Sequence, residues 1–174
     1  KQLGWQISLW DHRQVFLDQA AFIDADLRRK TRAEKITSPS EFDGYDAAVV
    51  MTHNLENDAC YLSKMLPSTL QYIGLLGPSG RKNKLFNLVK DLPGYSNDTT
   101  ITDRIFGPVG LDLGGRGPQA IALSITAQIQ QIIIKQRNIN AFKCQKVKPS
   151  LQVANPNTSK VPVGRKIVNS VEVP

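Results

Sequence analysis

The sequence predicts an α/β protein built as a doubly wound parallel sheet. Three observations lead there. Short, nearly continuous apolar runs (Trp5–Trp10, Ala47–Met51, Tyr72–Leu76) have the length and composition of strands buried on both faces. Stretches with helical periodicity separate these runs, as the crossovers of parallel strands require. Glycine- and proline-rich turns fall at the ends of the runs, where such a fold changes direction.

The elements follow in order. Lys1-Gln2-Leu3-Gly4 reads as the last turn of a helix closed by glycine, and the strand Trp5–Trp10 follows. The chain therefore reads as starting inside a domain, with a first strand and helix, one βα unit, missing ahead of residue 5. Residues 11–46 carry no clean period, and Arg28 to Arg32 is read as irregular. After the strand Ala47–Met51, Asn54 is a candidate cap for a helix carrying Leu55, Ala59, Leu62 and Leu66, stopped by Pro67. The strand Tyr72–Leu76 leads into Gly77-Pro78-Ser79-Gly80, with Ser79 as candidate cap and Leu85, Leu88 and Val89 as the inward face of the next helix.

Asp91 to Asp103 is a polar loop, and Arg104-Ile105-Phe106 a short strand. Pro108 to Pro118 is glycine-rich, and Pro118 suits the first turn of a long helix. Ile121, Ala122, Ile125, Ile129, Ile132 and Ile133 form the expected buried stripe of that helix.

Charge divides the chain in two. The formal net charge is +7, yet residues 1–135 are almost balanced, and beyond them seven Lys/Arg face one acid, Glu172. This predicts a domain over 1–135 and a basic polar tail over 136–174, solvated rather than nucleic-acid-binding. No apolar run is long enough to span a bilayer and no signal peptide is evident, so a cytoplasmic protein is expected. Cys60 and Cys144 show neither metal-ligand nor disulfide-framework spacing, and Cys60 reads as a small core residue.

In doubly wound sheets ligands enter at the carboxyl ends of the strands, so the residues after each strand carry the functional expectation. Asp11 is placed either to accept hydrogen bonds from a ribose diol or to pair with Arg13. Thr52 and His53 follow a central strand, and His53 can act as a base, a metal ligand or a donor to a cofactor. Arg81 after Ser79, and Arg116 within Gly114-Gly115-Arg116-Gly117-Pro118, stand at helix starts, where a cation is favourable when an anion lies between it and the free N–H groups. No nucleophile elbow, HExxH or phosphate-binding GxxxxGK[ST] loop is present.

Four of these stretches together resemble the C-terminal Rossmann-like domain of the XdhC/CoxI family. They are Leu9–Arg13; Ala48–His53 with Asp58; Tyr72–Gly77 with Ser79 and Arg81; and Pro108–Gly114 with Pro118, Ile121, Ala122 and Ser124, all within about residues 5 to 135. The resemblance implies a maturation factor for molybdenum hydroxylases of the xanthine dehydrogenase or CO dehydrogenase type. Such a factor binds molybdenum cofactor, as molybdopterin or its dinucleotide, and assists its sulfuration and insertion. It also implies an apo-hydroxylase and a sulfur-donating desulfurase as partners, and a homodimer. The cofactor-binding residues expected are Asp11, Arg13, Thr52, His53, Gly77, Ser79, Arg81, Asp112, Gly114 and Arg116, with no catalytic residue. Pro78 and Gly80, and the lack of the family's first strand and glycine loop, depart from the pattern. An NAD(P)-dependent oxidoreductase and a non-catalytic interaction scaffold are the alternatives.

Overall fold

The computed structural model describes residues 3–90, 102–146 and 165–171. Six strands form a single sheet: β1 (Trp5–Asp11), β2 (Leu27–Lys30), β3 (Ala47–Met51), β4 (Tyr72–Leu75), β5 (Ile105–Phe106) and β6 (Arg165–Val171). They lie in the order β2-β1-β6-β3-β4-β5, and every adjacent pair is parallel. This is the 3-2-1-4-5-6 order of the classic dinucleotide-binding sheet, with β6 in the place of its first strand.

Two helices cover one face of the sheet, α2 (Leu55–Met65) and α3 (Ser79–Val89). Trp10, Ala48, Val50, Ile73 and Leu75 point to this face and meet Leu62 and Met65 of α2 and Leu85 and Val89 of α3. The alternate residues Trp5, Ala47, Val49 and Tyr72 face the other way and pack on Ile125, Ile129 and Ile133 of the long helix α4 (Pro118–Lys146). Period-two alternation thus divides β3 and β4 between two apolar layers, so both are apolar along nearly their whole length, while β1 carries Gln6 and Ser8 among its apolar residues. A short helix α1 (Gln14–Leu17) follows β1 and buries Leu17.

Several expectations are corrected. Residues 27–30 form edge strand β2 rather than an irregular segment. Its Leu-Arg-Arg-Lys sequence pairs on one side only and is largely exposed, so no apolar alternation marks it. The basic tail is also structured in two stretches: α4 continues to Lys146, and β6 is the central strand. Ile167 and Val168 of β6 are buried, one against each layer of the core, and the strand's backbone pairs with β1 and β3. The gap expected beside β1 is filled from the other end of the chain.

Within helices the deviations are smaller. Asn54 caps α2 by accepting hydrogen bonds from the N–H groups of Glu56 and Asn57. Ser79 is the first residue of α3, and the capping position belongs to Pro78, which makes no side-chain cap. Leu88, Ile121 and Ala122 lie exposed rather than inward, and Cys60 is only half-buried. The polar loop expected over 91–103 lies, up to residue 101, outside the described residues.

Candidate functional site

The carboxyl ends of all six strands open on the same edge of the sheet, because all pairings are parallel. The residues that follow them form the mouth of the fold.

At the end of β1 the Asp11 side chain is fully buried and already occupied. Its Oδ1 accepts hydrogen bonds from the Arg13 backbone N–H at 2.7 Å and from Arg13 Nε at 3.1 Å, and its Oδ2 accepts from Arg13 Nη2 at 3.0 Å. The guanidinium also stacks over the Phe16 ring at 4.7 Å. Of the two roles open to Asp11, the local pair with Arg13 is the one formed. His12 Nδ1 stands 3.7 Å from the same carboxylate.

A second carboxylate is satisfied in the same manner after β3. Thr52, buried at the strand end, donates its hydroxyl hydrogen to Asp58 Oδ1 and accepts from the Asn54 N–H at 3.2 Å. Asp58 Oδ2 accepts from Arg81 Nε at 2.8 Å and Nη2 at 2.6 Å, a two-toothed pair with side chains only 2% and 15% exposed. Gly77 makes this reach possible: its φ is +137°, and a Cβ there would lie 2.5 Å from Arg81 Cδ. Thr52, Asp58, Gly77 and Arg81 are therefore one buried network tying β3, α2 and α3 together. Arg81, expected to face a phosphate, is held instead by the Asp58 carboxylate, 23 residues earlier.

His53 is different. It is exposed, and its φ of +56° is the left-handed conformation, adopted here by no other described residue except glycine. For a ring-bearing residue that backbone costs roughly 1–2 kcal/mol. Ser79 opens α3 after the Gly77-Pro78 turn.

The third group is the glycine-rich segment after β5. Gln128 of α4 anchors it: its Oε1 accepts from the Tyr72 hydroxyl at 2.6 Å and the Gly110 N–H at 2.9 Å, and its Nε2 donates to the Gly110 carbonyl at 3.2 Å. Burial pushes the Tyr72 hydroxyl's pKa well up, so it remains a donor. Gly110 itself, at φ +105°, lies against the Ser124 hydroxyl, where any Cβ would collide. Beyond it, Leu111 to Gly115 with Ala120, Ile121 and Ser124 enclose a 160 Å³ cavity that includes Asp112 and Gly114. Arg116 is exposed and outside this lining. Among the described residues no hydrogen bond or ion pair joins Asp112, Gly114 or Arg116 to the Asp11 or Thr52 groups.

Two further cavities flank α2. One, of 240 Å³, is lined by His12, Arg32, Ala33, Glu34 and Asn57. The other, of 580 Å³, is a largely apolar groove between the Ala33–Lys35 turn and α2, with Cys60 at its wall, where burial pushes the thiol pKa up and keeps it neutral. Arg32, Asn57 and Gln128 were not foreseen from sequence. Gln128 alone carried a signal, as a polar residue beside the apolar stripe of α4. Among the described residues no group of three or more His, Cys, Asp or Glu is placed to hold a metal ion, and no helix is long and apolar enough to cross a membrane.

Comparison with known proteins agrees with this architecture. Residues 1–129 match the model of the XdhC Rossmann domain. The chain is 32% identical over 128 residues to a probable xanthine dehydrogenase subunit of Bacillus subtilis (strain 168), covering 74% of this chain and 36% of that relative. The chain thus spans about a third of the length of the curated relative it matches. A crystal structure of a protein described as a xanthine dehydrogenase from Bacillus halodurans superposes with a TM-score of 0.54 at 24% identity, over 75% of this chain and 43% of that one, which shows the shared fold. With the sheet order, the strand-end residues and a family match over most of its length, the chain belongs to the XdhC family through its Rossmann domain.

Proposed function

We propose that this chain acts as an accessory factor for a molybdenum hydroxylase of the xanthine dehydrogenase type, and that the mouth of its sheet binds molybdenum cofactor during sulfuration and delivery. The observation that carries the reading is the state of the two strand-end carboxylates. Asp11 and Asp58 are each neutralised by an arginine of the same chain, so neither of these strand-end carboxylates stands uncompensated against a bound anion. A polar group ending in phosphate suits these strand ends, because it meets no uncompensated carboxylate at Asp11 or Asp58. Family membership and the names of the relatives support the choice of a molybdenum hydroxylase as the enzyme served.

The cofactor would supply the metal and its sulfur ligands to the hydroxylase. The residues of this chain have binding and shielding roles. His53 stands exposed at the end of β3 to donate to a pterin edge, and Arg116, exposed in the glycine segment, is free to turn toward an anion. Arg13, Thr52, Gly77 and Arg81 hold the two loops in shape, with Ser79 and the Asp112–Gly114 turn lining their approach. The apo-hydroxylase and a sulfur-donating desulfurase are the partners this role requires, and the cytoplasm is its setting.

The test is to purify the full chain from cells that make the cofactor and oxidise any bound pterin to its fluorescent derivative. Pterin near one per chain, transferable to an apo-hydroxylase with gain of its activity, is the expected result. A pterin-free protein that neither takes up nor transfers the cofactor would overturn the proposal. Tight binding of NADP(H) in its place would identify an oxidoreductase.

A further inference from the structure

The 240 Å³ cavity at the carboxyl ends of β1 and β2 has none of Asp11, Thr52 or Gly110 in its lining. Its donors come from three elements: His12 directly after β1, Arg32 two residues beyond β2, and Asn57 in the first turn of α2. Arg32 is exposed, and among the described residues its side chain has no hydrogen bond or ion pair. The neighbouring arginines are all engaged: Arg13 on Asp11, Arg28 on the Leu17 carbonyl at 3.2 Å, and Arg29 on Glu41 and the Trp10 ring. One guanidinium is thus left facing a polar cavity on the ligand-entry edge of a doubly wound sheet.

The carboxylate at the end of β1 does not cancel it. Asp11, in the position from which a strand-end acid would grip a ribose diol, has both oxygens taken by Arg13. Glu34 is the acid that lines the cavity, and it also lines the apolar groove on the other side of the Ala33–Lys35 turn. A site that removes its diol acceptor and presents arginine, imidazole and amide suits an anion bearing several acceptor oxygens. Donors arriving from three elements suit a tetrahedral anion better than a planar carboxylate. The volume, about eight waters' worth at roughly 30 Å³ each, admits a phosphate and the carbon that carries it.

We infer that this cavity is a phosphomonoester subsite, with Arg32 as its principal cation, His12 and Asn57 as further donors, and Glu34 as a weakening neighbour. The inference rests on the cofactor-binding role proposed for the mouth and names where the phosphate end of that ligand lies. A pterin phosphate and a ribose phosphate share this chemistry.

The experiment titrates the full chain, followed by backbone amide NMR, with neopterin monophosphate and with adenosine 2′,5′-bisphosphate. Neopterin and adenosine serve as the unphosphorylated controls. Each phosphate should bind at least about tenfold tighter than its control, the difference made by one charge-assisted contact, with shifts centred on His12, Arg32 and Asn57. Arg32→Ala should abolish that preference without lowering thermal stability, since the side chain is exposed; Arg32→Lys should restore part of it, and Glu34→Gln should strengthen binding by about threefold. The tighter of the two phosphates identifies the source, and equal affinity means that phosphate alone is read. Binding indifferent to the phosphate, or a wild-type preference in Arg32→Ala, overturns the subsite. If the subsite holds but purified chain carries and transfers no pterin, the proposed function fails alone. If pterin is retained equally by wild type and Arg32→Ala, and no phosphate preference is seen, the subsite fails alone.

Discussion

Replacing Asp58 by Ala tests whether the network behind the mouth is structural. Asp58 is 1% exposed and accepts from Thr52 and twice from Arg81, whose side chain is 15% exposed. The substitution strands a largely buried guanidinium and frees the Thr52 hydroxyl. Breaking a buried pair from one side costs about 3–5 kcal/mol. Because Arg81 keeps some access to water, about 3 kcal/mol is expected. At an m-value of about 2 kcal/mol per molar urea, the unfolding midpoint should fall by roughly 1.5 M. Arg81→Met should cost a similar amount, since it leaves the carboxylate without its arginine, whereas the double variant Asp58→Ala/Arg81→Met should cost clearly less than the sum of the two. Urea unfolding of the four proteins, followed by tryptophan fluorescence, gives the coupling energy directly. Single variants each costing under about 1 kcal/mol, with coupling near zero, would refute the reasoning and would return Arg81 to the residues free to meet a ligand.

Other expectations follow from the same geometry. Gln128→Leu removes the partner of the Tyr72 hydroxyl and of both backbone groups of Gly110, and should cost about 2 kcal/mol and speed hydrogen exchange over residues 108–117; unchanged exchange there would contradict the anchoring role. Gly74→Ala places a methyl 2.6 Å from Val109 Cγ2 and 2.9 Å from Tyr72 Cε1, so thermal unfolding should show a loss of about 1–3 kcal/mol, and a neutral result would mean that this approach is looser than these distances. Glu41 has a pH signature. Partial burial acts to raise its pKa, but the Arg29 guanidinium at 2.5 Å and the Thr37 and Ser38 N–H groups hold it below the ordinary carboxylate value. A depressed folded-state pKa stabilises above the unfolded pKa and is lost as pH falls through the folded one, so the deficit of Glu41→Gln at neutral pH should vanish on acidification, read from melting temperatures across pH. Finally, His53→Ala should impair cofactor retention or transfer while leaving the fold intact, and equal pterin content and delivery would remove His53 from the site.

The sequence made the interior of the sheet readable and its margins much less so. β3 and β4 are apolar on both faces and β1 carries two tryptophans, Ile7 and Leu9, so their composition marks them, and Asn54 marks the start of α2. β2 escaped because an edge strand needs no apolar face, and β6 because backbone pairing with both neighbours, together with the buried Ile167 and Val168, leaves little apolar pattern to read. At the mouth, the Asp11–Arg13 pair spans two residues and could be weighed in advance. The Asp58–Arg81 pair spans 23 and depends on how two helices pack, which helix-start chemistry cannot foretell. The open guanidinium of Arg32 was invisible for the same reason: its significance lies in what its neighbours are bound to.

The placement of β6 has a consequence for the order in which the protein can become itself. On the ribosome, β1 to β5 emerge first, yet β1 and β3 pair with no common partner until residues 165–171 have been synthesised. Until then the nascent chain holds two partial sheets with four exposed strand edges, two of them facing what will become the centre. Such edges are where chains associate wrongly. Completion therefore comes late and all at once, with a seven-residue strand forming both central ladders, and a premature stop ahead of residue 165 would release a chain with its middle open rather than one merely shortened.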